Sequence, residues 1–266
     1  MSSTKKEMRK NAKMRAKAVL TKEDNRLKIS VAVLICISLT MMMWLVSGLS
    51  DLALEIIFGI TDERFYYPVS KLSFVFLTLY LVAPIYVGTF RMSVNMLKGN
   101  NCDVADIFDT FSSFKAYNRA LRLSYSVFFR ILPIIIALRI HVIMSYLSYW
   151  LVFYDETVKM VDIFFVPCAF LLLLWFCGNF GKVSFAYLNE SKGLRASGKM
   201  ARKFRKGNRG SIVVLTYETL FKLILSLLTL GIVTIIHTIP LAVLTYGALA
   251  DEMRLNYQTK TERIDI

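Results

Sequence analysis

Six long apolar runs lie along this 266-residue chain, at about residues 29–50, 72–90, 120–150, 163–188, 211–229 and 232–250. Few folds accommodate such a pattern. An α-helix rises ~1.5 Å per residue, so ~20 apolar residues cross a ~30 Å hydrocarbon core. Backbone amides cannot stay unpaired in lipid, so runs of this length must wind into helices. A transmembrane barrel needs short alternating segments, which are missing here. With 56% hydrophobic residues and a mean hydropathy of +0.51, the chain is more apolar than an ordinary soluble domain. The runs predict an all-α polytopic membrane protein with six transmembrane helices arranged as three hairpins, joined by short cytoplasmic amphipathic helices.

The net charge of +14 could point to nucleic acid, but its distribution points elsewhere. Residues 1–28 carry ten Lys/Arg and three acids, residues 91–122 five and three, and residues 182–210 nine and one. The segments between them carry an acidic excess: residues 51–71 hold two basic and four acidic groups, and residues 154–162 one and three. The three basic segments thus hold 24 of the 33 Lys/Arg. By the positive-inside rule they face the cytoplasm, which leaves both termini inside after six crossings. The expected location is a bacterial inner (plasma) membrane. The expected partners are anionic lipid headgroups, with no nucleic acid. Arg26, Arg119, Arg202, Lys203, Arg205, Lys206 and Arg209 are the candidate lipid contacts.

Three parts follow: a basic cytoplasmic N-terminal amphipathic segment (1–28), a six-helix transmembrane domain (29–250) and a cytoplasmic tail (251–266). In the first cytoplasmic loop, Val104, Ile107, Phe108, Phe111 and Phe114 recur at helical spacing, with Asp103, Asp106 and Asp109 on another face. This pattern predicts a short amphipathic helix on the cytoplasmic surface, with Asp103 as its N-cap. The run at 120–150 is too long for one upright span. Either Pro133 kinks it, or its outer end, with Tyr146, Tyr149 and Trp150, lies along the interface. Asn25–Arg26, Asn118–Arg119 and Asn208–Arg209 each precede or open an inward-to-outward span, at spacings of 93 and 90 residues. The Asn can cap a helix start and the Arg can reach lipid phosphates. A threefold repeat and chance recurrence of a dipeptide are both open readings.

Ser197, the basic run to Gly207, the stretch Leu228 to Ile232, Pro240, Thr245 and Tyr246 carry a family likeness, joined by Asp106 to Phe111 and by the basic N-terminal segment. In these features the chain resembles a bacterial integral membrane family catalogued as domain of unknown function 975. The resemblance implies a six-helix membrane domain and no particular reaction.

Ionisable groups inside spans are functional candidates by default. Arg130 lies eleven residues past Arg119, and Glu218 and Lys222 lie nine and thirteen past Arg209. Arg130, Glu218 and Lys222 form a candidate intramembrane charge cluster. An ion pair that fixes helix register is the preferred reading, with transport or proton coupling as the other. His141 and His237 make a poor metal site, and Cys36, Cys102, Cys168 and Cys177 show no CxxC spacing. No HExxH, Walker or Ser/His/Asp arrangement is present. No cofactor and no enzymatic activity are expected. The chain reads as a non-enzymatic membrane protein that meets lipid or a partner through its basic segments. The alternative is a permease subunit working with a partner ATPase subunit.

Overall fold

The computed structural model describes residues 2–59, 72–138, 203, 208–227, 231 and 233–262. Helices account for almost all of these residues, and no strand occurs among them. Contacts divide the chain into two units, Met1–Ser124 with Glu218–Ile266, and Tyr125–Tyr217. Among the described residues, three helical stretches are long and apolar enough to cross a membrane: Glu23–Leu49, Leu72–Leu97 and Thr234–Tyr257.

The chain opens with α1 (Ser2–Leu20), breaks at Thr21–Lys22 and continues as α2 (Glu23–Phe58). Lys22 is the extended N-cap of α2, and Glu23 and Asp24 in the first turn complement its positive end. Asn25 therefore lies inside the helix and does not cap it. Gly59, at φ 62°, ends α2 in the left-handed conformation and returns its N–H to Glu55 O at 3.1 Å. The second long helix is α3 (Leu72–Leu97). Helix α4 (Phe114–Leu138) follows the segment that links it to α3, and Asn118 again falls inside it. Helix α5 (Arg209–Leu227) begins directly after Asn208, whose carbonyl accepts from Ser211 N at 3.1 Å. Only this one of the three Asn-Arg pairs borders a helix start. Helices α4 and α5 match the third and fifth apolar runs in place, but charge interrupts both. Lys115, Arg119, Arg122 and Arg130 lie in α4, and Arg209, Glu218 and Lys222 in α5. The fourth run and residues 139–150 lie outside the described residues.

The last helix, α6 (Ile239–Glu262), is led in by a π turn, Thr234–Thr238. It continues past residue 250, so the first part of the expected tail is helical. Helix α3 contains a matching π turn, Thr78–Val82. A proline follows each turn and explains a bond made there. Pro84 has no N–H for the carbonyl four residues back, Tyr80, and Tyr117 Oη donates to that oxygen at 3.0 Å. Pro240 likewise frees the Ile236 carbonyl, and Ser30 Oγ donates to it at 3.0 Å. In each case a hydroxyl from another helix satisfies a backbone oxygen that lipid cannot.

The core of the first unit draws Ala16 and Leu20 from α1, Ile29, Ala32 and Cys36 from α2, Met92 and Met96 from α3, and Leu244 from α6. Cys102 and Ile107 of the segment after α3 complete it. Helices α2 and α3 are sewn together by hydroxyl and thiol contacts, Cys36 Sγ to Thr89 Oγ1 at 3.3 Å and Thr40 Oγ1 to Tyr86 Oη at 3.0 Å.

The register of α6 differs from the sequence expectation, which set Ser30 at the inner end of one span and Ile236 at the outer end of another. Here they are hydrogen-bonded neighbours. Helix α1 fixes the offset. Met8, Ala12, Ala16 and Leu20 recur every four residues and are buried, two of them small enough for close helix approach. Asn256 reaches Met8, and Arg15 reaches Asp251 and Glu252, so α6 runs antiparallel to α1 and reaches α2 near its π turn.

Candidate functional site

Of the expected charge cluster, the described side chains are those of Glu218 and Lys222. Glu218 forms an ion pair with Lys13 of α1, 205 residues away, and both side chains are about a third exposed. Lys222, one turn further along α5, is exposed. Arg130 lies within α4, and its side chain is outside the described residues. The partner of Glu218 was thus missed, because nothing local in the sequence links α1 to α5.

A second clamp ties α1 to α6. Arg15 spreads its guanidinium over two carboxylates, with Nη2 at 3.0 Å from Asp251 Oδ2 and Nη1 at 3.1 Å from Glu252 Oε1. Arg254 adds a 3.0 Å contact to Asp251 within α6. Burial works against the Arg15 charge, but its bonds to Asp251 and Glu252 outweigh that and hold its pKa above the ordinary value. The clamp and the buried stripe fix the rotation of α1 and leave Lys6, Lys10 and Lys17 exposed along one edge. Residues four and eleven apart share a helical edge, so this is a row of charge on a rigid helix.

Of the other expected lipid contacts, Arg26, Arg119, Lys203 and Arg209 are exposed. Arg202, Arg205 and Lys206 lie outside the described residues.

The amphipathic segment after α3 is seated more firmly than a surface helix. Asp103 caps it as expected: its carboxylate accepts from Val104 N at 2.7 Å, and Asp106 accepts from Asp103 N at 2.9 Å. The segment winds as a 3₁₀ helix, Val104–Phe111, in place of the α-helix that the spacing predicts. With three residues per turn, side chains at i and i+3 eclipse. The single apolar face therefore splits. Ile107 and Thr110 point inward and are buried, while Phe108, Phe111 and Phe114 remain exposed at 44, 42 and 81%. The seat is Gly88 of α3. A Cβ there would run into the Ile107 backbone carbonyl. Cys102, just before the helix, is buried, and burial pushes its thiol pKa up; Asp106 adds to the effect and Lys28 opposes it.

No family profile, curated protein or solved structure matches this chain. Its chemistry must be read from the geometry alone. Among the described residues, no group of three His, Cys, Asp or Glu side chains could hold a metal ion. Among the described residues, a groove of about 670 Å³ opens at the start of α2. Glu23, Asp24 and Arg26 stand at one end of it. Leu27, Val31 and Leu34 of α2 form one wall, and Ile235 and Ile236 form the other. The sequence held one signal for it, the abrupt change from charged to apolar residues along one face of α2.

Proposed function

We propose that this chain is a non-enzymatic integral membrane protein that crosses a bacterial cell membrane six times as three hairpins, with both termini in the cytoplasm. Its basic cytoplasmic segments hold anionic lipid headgroups or a protein partner. The observation that carries this reading is the fixed row Lys6, Lys10 and Lys17, held outward while the opposite face of α1 is buried. Each cation near an anionic bilayer surface contributes about 1 kcal/mol of attraction. Three apolar helices and the alternation of loop charge support the membrane location. The Ser226–Thr234 hydroxyl contact, 2.8 Å across the turn at Gly231, supports a tight final hairpin. Membership of the family named above belongs to the same proposal and rests on the residues already given. The test is to reconstitute the protein and its Lys6→Glu, Lys10→Glu, Lys17→Glu triple variant in vesicles containing phosphatidylglycerol. The native chain enriches the anionic lipid around itself and loses that enrichment in high salt. An unchanged enrichment in the triple variant overturns the assignment of the row.

A permease subunit is the second reading, favoured by Phe108, Phe111 and Phe114. Three exposed aromatic rings, two on the capped helix seated against α3 and one at the start of α4, suit insertion into an apolar pocket of a soluble partner such as an ATPase subunit. Photo-crosslinking from position 111 in cells tests it. Capture of an ATPase subunit supports this reading, and crosslinks to lipid alone contradict it.

A further inference from the structure

We propose that the groove at the start of α2 seats an aminophospholipid, whose headgroup carries both a phosphate and a primary ammonium. The proposal rests on the membrane reading above and names the lipid class for one of its surfaces. Glu23, Leu27, Val31 and Leu34 recur at intervals of three or four, so they line one face of α2. From Glu23 to Leu34 that face is ~16 Å long at the helical rise, a length suited to much of an acyl chain. It passes from charge to hydrocarbon in the order a lipid does. Ile235 and Ile236 close the far side of the apolar part. Ser30, between the walls, spends its hydroxyl proton on the Ile236 carbonyl, so that donor is already committed.

The polar end discriminates among headgroups. Arg26 is exposed and has no ion-pair partner among the described residues, so its guanidinium is available to a phosphate. Asp24 is held by Lys28 at 2.7 Å. Glu23 is exposed and unpaired among the described residues, three positions from Arg26 on neighbouring faces of one turn. A cation and an anion one turn apart match a phosphate joined by two carbons to an amine. The Glu23 carboxylate accepts hydrogen bonds from a primary ammonium. A choline head offers no N–H, and a glycerol head brings no positive charge to offset Glu23 and Asp24. Groove volume alone does not choose a lipid, but this pairing of charges does.

The test uses the full chain in mild detergent, exposed to equal amounts of phosphatidylethanolamine, phosphatidylglycerol and phosphatidylcholine with identical acyl chains. Lipid adducts are counted by native mass spectrometry. Phosphatidylethanolamine adducts should exceed the other two about fivefold, the ratio expected from one partly exposed ion pair. Glu23→Gln removes the preference, Arg26→Gln weakens all three lipids, and Val31→Trp fills the groove and removes the adduct. Each variant is compared with the native chain by gel filtration and helicity, and Leu34→Trp replaces Val31→Trp if that variant fails to fold. Equal or greater binding of phosphatidylglycerol by the native chain overturns the proposal, as does a preference that survives Glu23→Gln. Carbonate extraction of cell membranes separates the two levels of inference. Release of the chain overturns the membrane reading, whereas a retained chain with no lipid preference overturns the groove assignment alone.

Discussion

The seam between α2 and α3 and the seam between α1 and α6 solve the same packing problem with different chemistry. The first is apolar and close. Its polar contacts are hydroxyl and thiol groups, Cys36–Thr89 and Thr40–Tyr86, and next to it Gly88 lets the Ile107 backbone of the Val104–Phe111 helix touch α3. The second is ionic at its edge, with Arg15 on Asp251 and Glu252, while Lys13 ties α1 to Glu218 of α5. The difference fits two solvents. A seam in lipid gains little from apolar transfer and relies on close contact and satisfied hydrogen bonds. A seam at the aqueous surface can keep charges hydrated while a small-residue stripe does the packing.

The largest predicted effect attacks the contact next to the first seam, where Gly88 of α3 seats the Val104–Phe111 helix. Gly88→Ala forces the Val104–Phe111 helix away from α3 and should lower stability by roughly 1–3 kcal/mol, the usual cost of overpacking. Thermal unfolding in detergent measures it. An unchanged midpoint would break the claim that close approach holds the Val104–Phe111 helix against α3.

The second effect attacks α1. Arg15→Ala should cost about 1 kcal/mol, because the pair is partly exposed and screened. Limited proteolysis should then cut α1 earlier, and high salt should have the same effect on the native chain. The native α2–α3 seam should be insensitive to salt. Equal salt sensitivity in both seams would erase the contrast.

Smaller effects test the two proline sites. Ser30→Ala and Tyr117→Phe each leave a backbone carbonyl without its donor and should cost about 0.6 kcal/mol apiece, the average for such bonds in membranes. The two losses should add in the double variant, since the sites are independent. Strong non-additivity would mean that the sites communicate. The smallest signal is kinetic. In a variant retaining only Cys102, the buried thiol should alkylate more slowly at neutral pH than a free thiol, because its pKa is raised. Adding Gly88→Ala should speed it.

The sequence made some of this legible. Apolar runs located the helices, and Asp103 read as a cap because a cap depends on neighbours three residues away. The 3₁₀ winding was hidden, since periods of 3.0 and 3.6 are hard to distinguish over eight residues, and only the contact with Gly88 favours the tighter one. Asn25 and Asn118 looked like caps, but the break at Thr21–Lys22 and the early start of α4 took those roles. The stripe of Met8, Ala12, Ala16 and Leu20 was obscured by the lysines around it. The partners of Glu218 and of the two freed carbonyls lie on distant parts of the chain, and one sequence carries no local trace of such pairings.

The central claim is a chain that enters and leaves the membrane six times, with its basic segments inside. Reporters that are active on only one side of the membrane, fused near residues 62 and 157 and at the C-terminus, test it most directly. The account predicts an external signal at 62 and 157 and a cytoplasmic signal at the C-terminus. A cytoplasmic signal at residue 62 would contradict it.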